Sequence, residues 1–315
     1  MNHHLGPIKA DHKSIFFQLF VLFFVAGLLQ SLPAYAGEIK VLSSPVSIRA
    51  WTPNQIQEIV GSVIDVNSYR EVRVQIFPKY LVLQLLQEAY HRVDFLRVNL
   101  DQHQQVKSIQ ANYAYSADEI KSLDIQMGIK DNACPDPEVQ FIAFAPNDEP
   151  TEQGVTLDVI QAAQAKGYKV VSLLKEKATR ANYLAYMACP KLVGNFYDGD
   201  SNPQSFITVD GVINATEISA MKGLFGFHVT NIWVACEAFN DPMLSSVTKD
   251  AQAQKYAAGI NDLLVGPSDQ AAACAMKAAI AGQPMTQAFQ DCYRQLDSAN
   301  DKWGFGGQGS DIFAH

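Results

Sequence analysis

The rhythm of apolar and polar positions changes once along the chain. From residue 37 to about 132 it is mixed. "TPNQIQEIVGSVI" (52–64) has a Thr cap, a first-turn Pro and apolar residues at helical spacing, which predicts a helix. "REVRVQIF" (70–77) alternates and is rich in Val and Ile, as a strand is. "PKYLVLQLLQEAYHRV" (78–93) opens with Pro and predicts a second helix. "DFLRVNLDQHQQVKSIQANYAYS" (94–116) predicts two strands around a polar turn. Together these make a small α+β unit, 37–132. "DNACPDPEV" (131–139), with two prolines and several turn formers, is a linker.

From Val139 the pattern becomes an α/β alternation that runs through 133–315. "VQFIAFAP" is a continuous apolar run, as strands buried on both faces are. A helix ending at Gly167 follows, then the strand "YKVVSLL", the Thr-capped helix "TRANYLAYMA" and the strand "KLVGNFYD". "SFITVDGVINATEI" reads as a hairpin with Asp-Gly at its turn, running into a helix. "VTNIWVAC" is the fourth strand, a short strand is expected around "LLVGP", and two helices follow, "SDQAAACAMKAAIAG" and "PMTQAFQDCYRQL". Strands alternating with such helices predict an α/β domain with a mostly parallel sheet covered on both faces. In such sheets the chemistry gathers at the carboxyl ends of the strands. Two polar loops fall there, "FYDGDSN" after the third strand and "ACEAFND" after the fourth. Asp200, Asn202 and Glu237 in these loops are the candidate binding residues.

The first 36 residues stand apart. Lys9 and Lys13 precede the apolar run "SIFFQLFVLFFVAGLLQSL", and Ala34, Tyr35 and Ala36 end it in an A-x-A pattern. This predicts a secretory signal peptide over 1–36, export to the periplasm or beyond, and no membrane attachment after cleavage. An uncleaved anchor is the rival, since the run is near the lower limit for a span, roughly 17 residues. The net charge is −8 with no basic run, which argues against a nucleic-acid partner. Export puts the five cysteines in an oxidising compartment, where four can pair and one is left over.

The stretch "DGDSN" tests as a cation loop. Asp198, Asp200 and Asn202 alternate as in a calcium-binding helix–loop–helix. The sixth place, where Gly is required, is Pro203, and the twelfth, where Glu is required, is Val209. A looser, cation-stabilised binding module through these residues and Asp210 stays as an alternative. No His or Cys group has zinc-ligand spacing, so neither a metal nor a cofactor is expected.

The order "KLVGNFYDG", "SFITVDGVINATEI", "NIWVAC", with "KYAAGINDLLVG" and "AAIAGQPMTQAFQDC" behind it, resembles the caspase-like cysteine peptidases, including gingipain-type members. The resemblance covers roughly residues 135–296. It implies a caspase-like sheet, with Cys236 at the nucleophile position and Gly199 at the glycine whose amide helps form an oxyanion hole. The base position, a histidine in the family, falls on Asp198, and Tyr197 replaces the glycine before it. The strand order of that fold makes the first and third strands neighbours. That brings Cys134 and Cys189, at their amino ends, within pairing reach. Cys274 and Cys292 lie on successive helices, each about seven residues from the Gly-Gln-Pro turn, and would be level. Cys236 is then the odd thiol; it also fits a buried core cysteine.

A peptidase cysteine needs a base that stabilises the thiolate and then protonates the leaving amine. A carboxylate raises a thiol's pKa instead and has no proton to give. His228 begins the same strand as Cys236, eight residues and more than roughly 20 Å away. His315 ends the chain. His91 and His103 belong to the α+β unit and read as surface or cap residues. The expectation is therefore an exported, catalytically degenerate member that binds a peptide or protein at the carboxyl end of the sheet. The alternative from the enzyme class is an active cysteine endopeptidase using Cys236 with an unrecognised base.

Overall fold

The first sheet is an antiparallel meander with one parallel strand added at its edge. In the computed structural model, which describes residues 37–42, 51–127, 133–221, 229–296, 302–307 and 311–313, β1 (Glu38–Val41) pairs parallel with β2 (Glu71–Phe77). β3 (Tyr80–Leu86), β4 (Val93–Leu100) and β5 (Val106–Ala111) follow antiparallel. Helix α1 (Pro53–Val63) starts from a capping box between Thr52 and Gln55. It buries Ile56 and Val60 in one cluster with Val72, Val74, Ile76, Leu81, Leu83 and Leu85. The expected signal peptide, His228 and His315 lie outside the described residues.

One predicted element changes type. Residues 78–93, expected as a helix, hold β3. Phe77 pairs with Tyr80, so Pro78 and Lys79 are the turn of a tight hairpin and not a helix start. Leu81, Leu83 and Leu85 pack toward α1, while Val82 and Leu86 enter a second cluster with Phe77, Phe95, Tyr113 and Tyr115. A strand covered on both faces loses its alternation and cannot be told from a buried helix by period. Helix α2 (Ala117–Met127) ends this part and adds Ile120 and Leu123 to the second cluster.

The second sheet is α/β. Its strands are β6 (Phe141–Ala145), β7 (Val170–Leu174), β8 (Gly194–Asp198), β12 (Thr230–Val234), β13 (Lys255–Gly259) and β14 (Trp303–Gly306). Their spatial order is β14-β13-β12-β8-β6-β7, parallel throughout except for β14 at the edge. The strand expected around "LLVGP" is instead β13, "KYAAG". Its two alanines give little β preference, and its place between β12 and β14 decides.

Helices cover both faces. On one side α4 (Arg180–Met187) packs Tyr183, Leu184 and Met187 with Ile142, Phe144, Tyr197, Trp233 and Tyr256. On the other, α3 (Pro150–Ala165), α6 (Pro267–Ile280) and α7 (Met285–Leu296) enclose Phe141, Phe196, Ile232 and Val234. Among the described residues no helix is long and apolar enough to cross a membrane.

Between β8 and β12 the chain makes a small three-stranded sheet. β9 (Ser201–Asn202) and β10 (Ser205–Thr208) pair antiparallel, and β10 pairs with β11 (Gly211–Asn214), which leads into α5 (Ala215–Ala220). This hairpin joins the two sheets. Phe206 and Ile213 belong to the core of the parallel sheet, while Ile207 and Val212 belong to the cluster of the meander. A period of two thus gives each side chain set to a different half.

Cys134 pairs with Cys189 and Cys274 with Cys292, at Cα separations of 4.8 and 5.8 Å, and Cys236 is free and buried. Loops of 55 and 18 residues closed in the unfolded chain are worth about 4 and about 3 kcal/mol in the chain-entropy account. Unfolding without reductant should therefore expose a single alkylatable thiol, on Cys236. Replacing Cys134 and Cys189 by Ser should lower Tm more than replacing Cys274 and Cys292, as calorimetry would show.

Candidate functional site

β6 lies between β7 and β8, so the chain reverses its direction across the sheet there. The carboxyl ends of β6 and β8 form the crevice where such a sheet places its ligands. Asn147 and Glu152 follow β6, Asp198 ends β8, and Asp200 comes two residues later. All four side chains are buried. A buried carboxylate is tolerated only when it is paired, and the partners come from the first sheet.

The connection between β3 and β4 is laid across this end of the parallel sheet. The His91 amide donates to the Leu263 carbonyl (3.1 Å), and the Val265 amide donates to Ala89 (3.2 Å). The His91 carbonyl accepts from the amides of Cys236 (2.9 Å) and Ser201 (3.2 Å). Tyr90 bridges to Leu264 and Arg92 to Ser201 in β geometry. Residues 89–92 thus sit as a short strand between the loops that follow β8 and β13. His91 is fully buried, not at the surface or in a cap as its polar neighbourhood suggests.

Its imidazole lies among carboxyl groups. Nε2 pairs with Asp269 Oδ1, while Nδ1 is 3.5 Å from Glu152 Oε1 and 4.0 Å from Asp198 Oδ1. Asp269 stands three residues into the turn that opens α6, and its other oxygen accepts from the Gly266 amide at 2.7 Å. Arg70 bonds Asp200 at 2.5 Å and reaches Glu152 at 3.5 Å. Asn147 donates to Asp200 (2.8 Å) and Glu152 (3.3 Å). Arg73, also buried, donates to the Thr208 carbonyl (2.8 Å) and to Asn147 (3.2 Å).

Protonation follows from burial and neighbours. Burial works against a charged His91, but Asp269 and then Glu152 and Asp200 outweigh it and raise its pKa to about 9. Burial raises Glu152 to about 7, against the pull of Arg70 and His91. Asp198 is pushed well above the carboxylate range by burial first and by Asp269 and Glu152 next.

The residues singled out in the sequence separate into three places. Cys236 is buried. Its sulfur accepts from the Leu263 amide at 3.0 Å, and burial pushes the thiol well above its usual pKa. The Gly199 amide donates to the Val234 carbonyl at 3.1 Å. A side chain at Gly199 would meet the Tyr197 hydroxyl at 2.8 Å, and that hydroxyl has the Asp200 and Ile207 carbonyls as acceptors for its one proton, at 3.0 and 3.2 Å. Asp198 joins His91 and Glu152, and Asp200 joins Arg70.

Asn202 instead caps the hairpin, accepting from Gln204 and Ser205 at 2.9 and 3.0 Å. The alternating acidic loop therefore does not converge on one point. Asn202 and Glu237, the latter at a left-handed φ of 55°, line an open cavity of about 180 Å³ with Arg92, Asp94 and Tyr113. His103 lies in an exposed turn of the first sheet. From the sequence His91 reads as a surface or cap residue, and Arg70, Arg73, Glu152 and Asp269 are not singled out. Only Asp269 and Glu152 carried a local signal, an acid in the first turn of a helix.

Neither a protein-family model nor a curated protein sequence matches the chain. Among solved structures the chain is similar to the crystal structure of the Arg-specific cysteine proteinase gingipain R, with a TM-score of 0.45 and 12% identity over 90% of this chain and 79% of that one. It is also similar to the complex of Porphyromonas gingivalis RgpB pro- and mature domains, with a TM-score of 0.43 and 13% identity over 64% of this chain and 55% of that one.

The titration of the cluster sets a pH dependence. His91, Glu152 and Asp198 all hold their protons more tightly folded than unfolded, so the folded chain binds more protons and stability falls as pH rises. Glu152 loses its contribution between its ordinary 4.5 and about 7, and His91 between 6.5 and about 9. Protein dialysed against a chelator should show Tm falling steadily over this range in calorimetry. A Tm that climbs from pH 5 to pH 9 would contradict the assignment.

Proposed function

We propose that the chain is a caspase-like protein that does not act as a peptidase and binds a peptide or protein segment at the carboxyl end of its parallel sheet. The element order supports the fold reading: β8, then the hairpin β10–β11, then β12 running out to Cys236, in a mostly parallel sheet. One observation carries the functional reading. The Cys236 amide donates to the His91 carbonyl, so the chain's own residues 89–92 lie where a substrate backbone would have to sit.

Three further features agree. The Gly199 amide is also taken, by Val234, so the two donors an oxyanion hole would need are both engaged. The thiol is raised in pKa and turned to Leu263, the reverse of an activated nucleophile. Asp198, at the family's histidine position, is a buried acid that cannot play the imidazole's part.

Binding is placed at the cavity beside this closed end. Arg92, Asp94, Asn112, Asn202 and Glu237 offer polar groups there, and Phe95 and Tyr113 offer ring faces. An extended peptide takes such a mixture of donors, acceptors and aromatic walls. The two disulfides support export to an oxidising compartment, periplasmic or extracellular, after removal of 1–36. The units 37–132 and 133–315 then act together, because the first supplies the segment that closes the second. The reading requires no cofactor and no nucleic acid.

A second reading keeps catalysis. His91 is the imidazole that stands 4.0 Å from Asp198, and it would become the base if its backbone carbonyl released the Cys236 amide while the imidazole stayed in the crevice. Thiol labelling of the purified mature chain separates the two. In the non-catalytic reading a peptidyl or iodoacetamide probe leaves native Cys236 unmodified for hours, and a peptide library stays uncut. A peptide selected on the wild-type chain should bind roughly tenfold more weakly to Glu237→Ala or Asn202→Ala, a loss of about 1.4 kcal/mol. Rapid labelling of Cys236, together with hydrolysis that Cys236→Ala abolishes, would overturn it.

A further inference from the structure

The buried cluster holds more acid than its cations use. The carboxyl groups of Glu152, Asp198, Asp200 and Asp269 face Arg70 and His91. Arg70 is spent on Asp200 and Glu152, and His91 Nε2 on Asp269. On the other side of the imidazole, His91 Nδ1, both oxygens of Asp198 and Oε2 of Glu152 are fully buried and have no hydrogen-bond partner. Native interiors rarely leave such groups unsatisfied, and each instance calls for a cause.

These groups face one another. His91 Nδ1 is 3.5 Å from Glu152 Oε1 and 4.0 Å from Asp198 Oδ1. One ligand atom from each of His91, Asp198 and Asp269 lies within 4.8 Å of the others, and Glu152 adjoins this group through His91 Nδ1 alone. A small divalent cation bound at about 2.0–2.2 Å to imidazole nitrogen and carboxylate oxygen separates its ligand atoms by roughly 3–4 Å. The gaps on the Nδ1 side match that spacing. The Nε2 side is too close for a metal and serves differently. A metal-bound histidine commonly donates its other N–H to a carboxylate, which fixes the ring and leaves the lone pair on the metal side. Asp269 is that carboxylate, and the Gly266 amide holds it in turn.

We propose that His91 Nδ1, Asp198 and Glu152 form a structural site for a small divalent transition-metal cation, with Asp269 as the positioning residue. The mixed nitrogen and oxygen donors suit zinc or a neighbouring first-row ion. Calcium prefers six to eight oxygens at longer range, and this site shares only Asp198 with the acidic loop motif. The cation ties the β3–β4 connection to the end of β8 and the start of α3. It fastens the segment that covers Cys236 and takes no part in chemistry on a substrate.

The probe is Zn²⁺ added to the full chain after dialysis against a chelator, with bound metal counted by mass spectrometry and Tm followed. One zinc per chain and a Tm rise of several degrees are expected. Asp198→Asn keeps every histidine and should lose both, and Asp269→Asn should bind about 10–100-fold more weakly. Absence of a Tm rise in the wild type, or an equal rise in Asp198→Asn, would overturn the site. Should Asp198→Asn fail to fold, X-ray absorption of Co²⁺-loaded wild type decides. A shell with one imidazole nitrogen and carboxylate oxygens supports the proposal, and a shell with sulfur or several imidazoles overturns it.

Discussion

The hydrogen bond from the Cys236 amide to the His91 carbonyl is the joint on which the rest of the structure turns. It fixes the β3–β4 connection across the end of the parallel sheet. Once that connection is placed, the imidazole must enter the crevice between β6 and β8, and Arg70 comes to Asp200 and Glu152. The hairpin β10–β11 is held between the two cores by the same docking, with alternate side chains given to each. Either half alone would leave buried charge or apolar surface uncovered.

The charged cluster is better understood as a positioning device than as a source of stability. Removing two ions from water costs several kcal/mol per ion, and their attraction repays this only with good geometry. Here the geometry is specific: Arg70, Arg73 and His91 each meet a different set of acceptors on the other half. Another docking register would leave several of these charges buried without partners. The cluster therefore selects one arrangement. The same arrangement raises the pKa of Asp198 and removes Cys236 from solvent. The burial of Cys236 and the placing of His91 beside Asp198 thus follow from how the β3–β4 connection packs on the parallel sheet.

Most of the parallel sheet was legible in the sequence. Continuous apolar runs mark β6, β8 and β12, and Thr179 and the Asp-Gly turn mark what lies between them. The Cys134–Cys189 pair followed from the expected strand order, and the Cys274–Cys292 pair from the spacing of the two helices about their turn. β3 was misread because Leu81, Val82, Leu83, Leu85 and Leu86 serve two cores, which erases the period of two. β13 was displaced because alanines carry little strand signal. The buried cluster draws on residues with and without a mark in the sequence. Asp200 is marked by its place after a strand, while Asp198, Gly199 and Cys236 were singled out by the family resemblance. His91 was not, because nothing near it in sequence shows that its partners are Asp269, Glu152 and Asp198, up to 178 residues away. Long-range ion pairing leaves no local pattern.

The central claim is that residues 89–92 are a fixed part of the closed site and not a lid. Hydrogen exchange at the amides of Cys236, Ser201 and His91 tests it most directly. All three donate within this joint, at 2.9, 3.2 and 3.1 Å. If the segment is fixed, they exchange only with the core strands β8 and β12, at the free energy of global unfolding. Exchange at the rate of a mobile surface loop, with β8 and β12 still protected, would contradict the account.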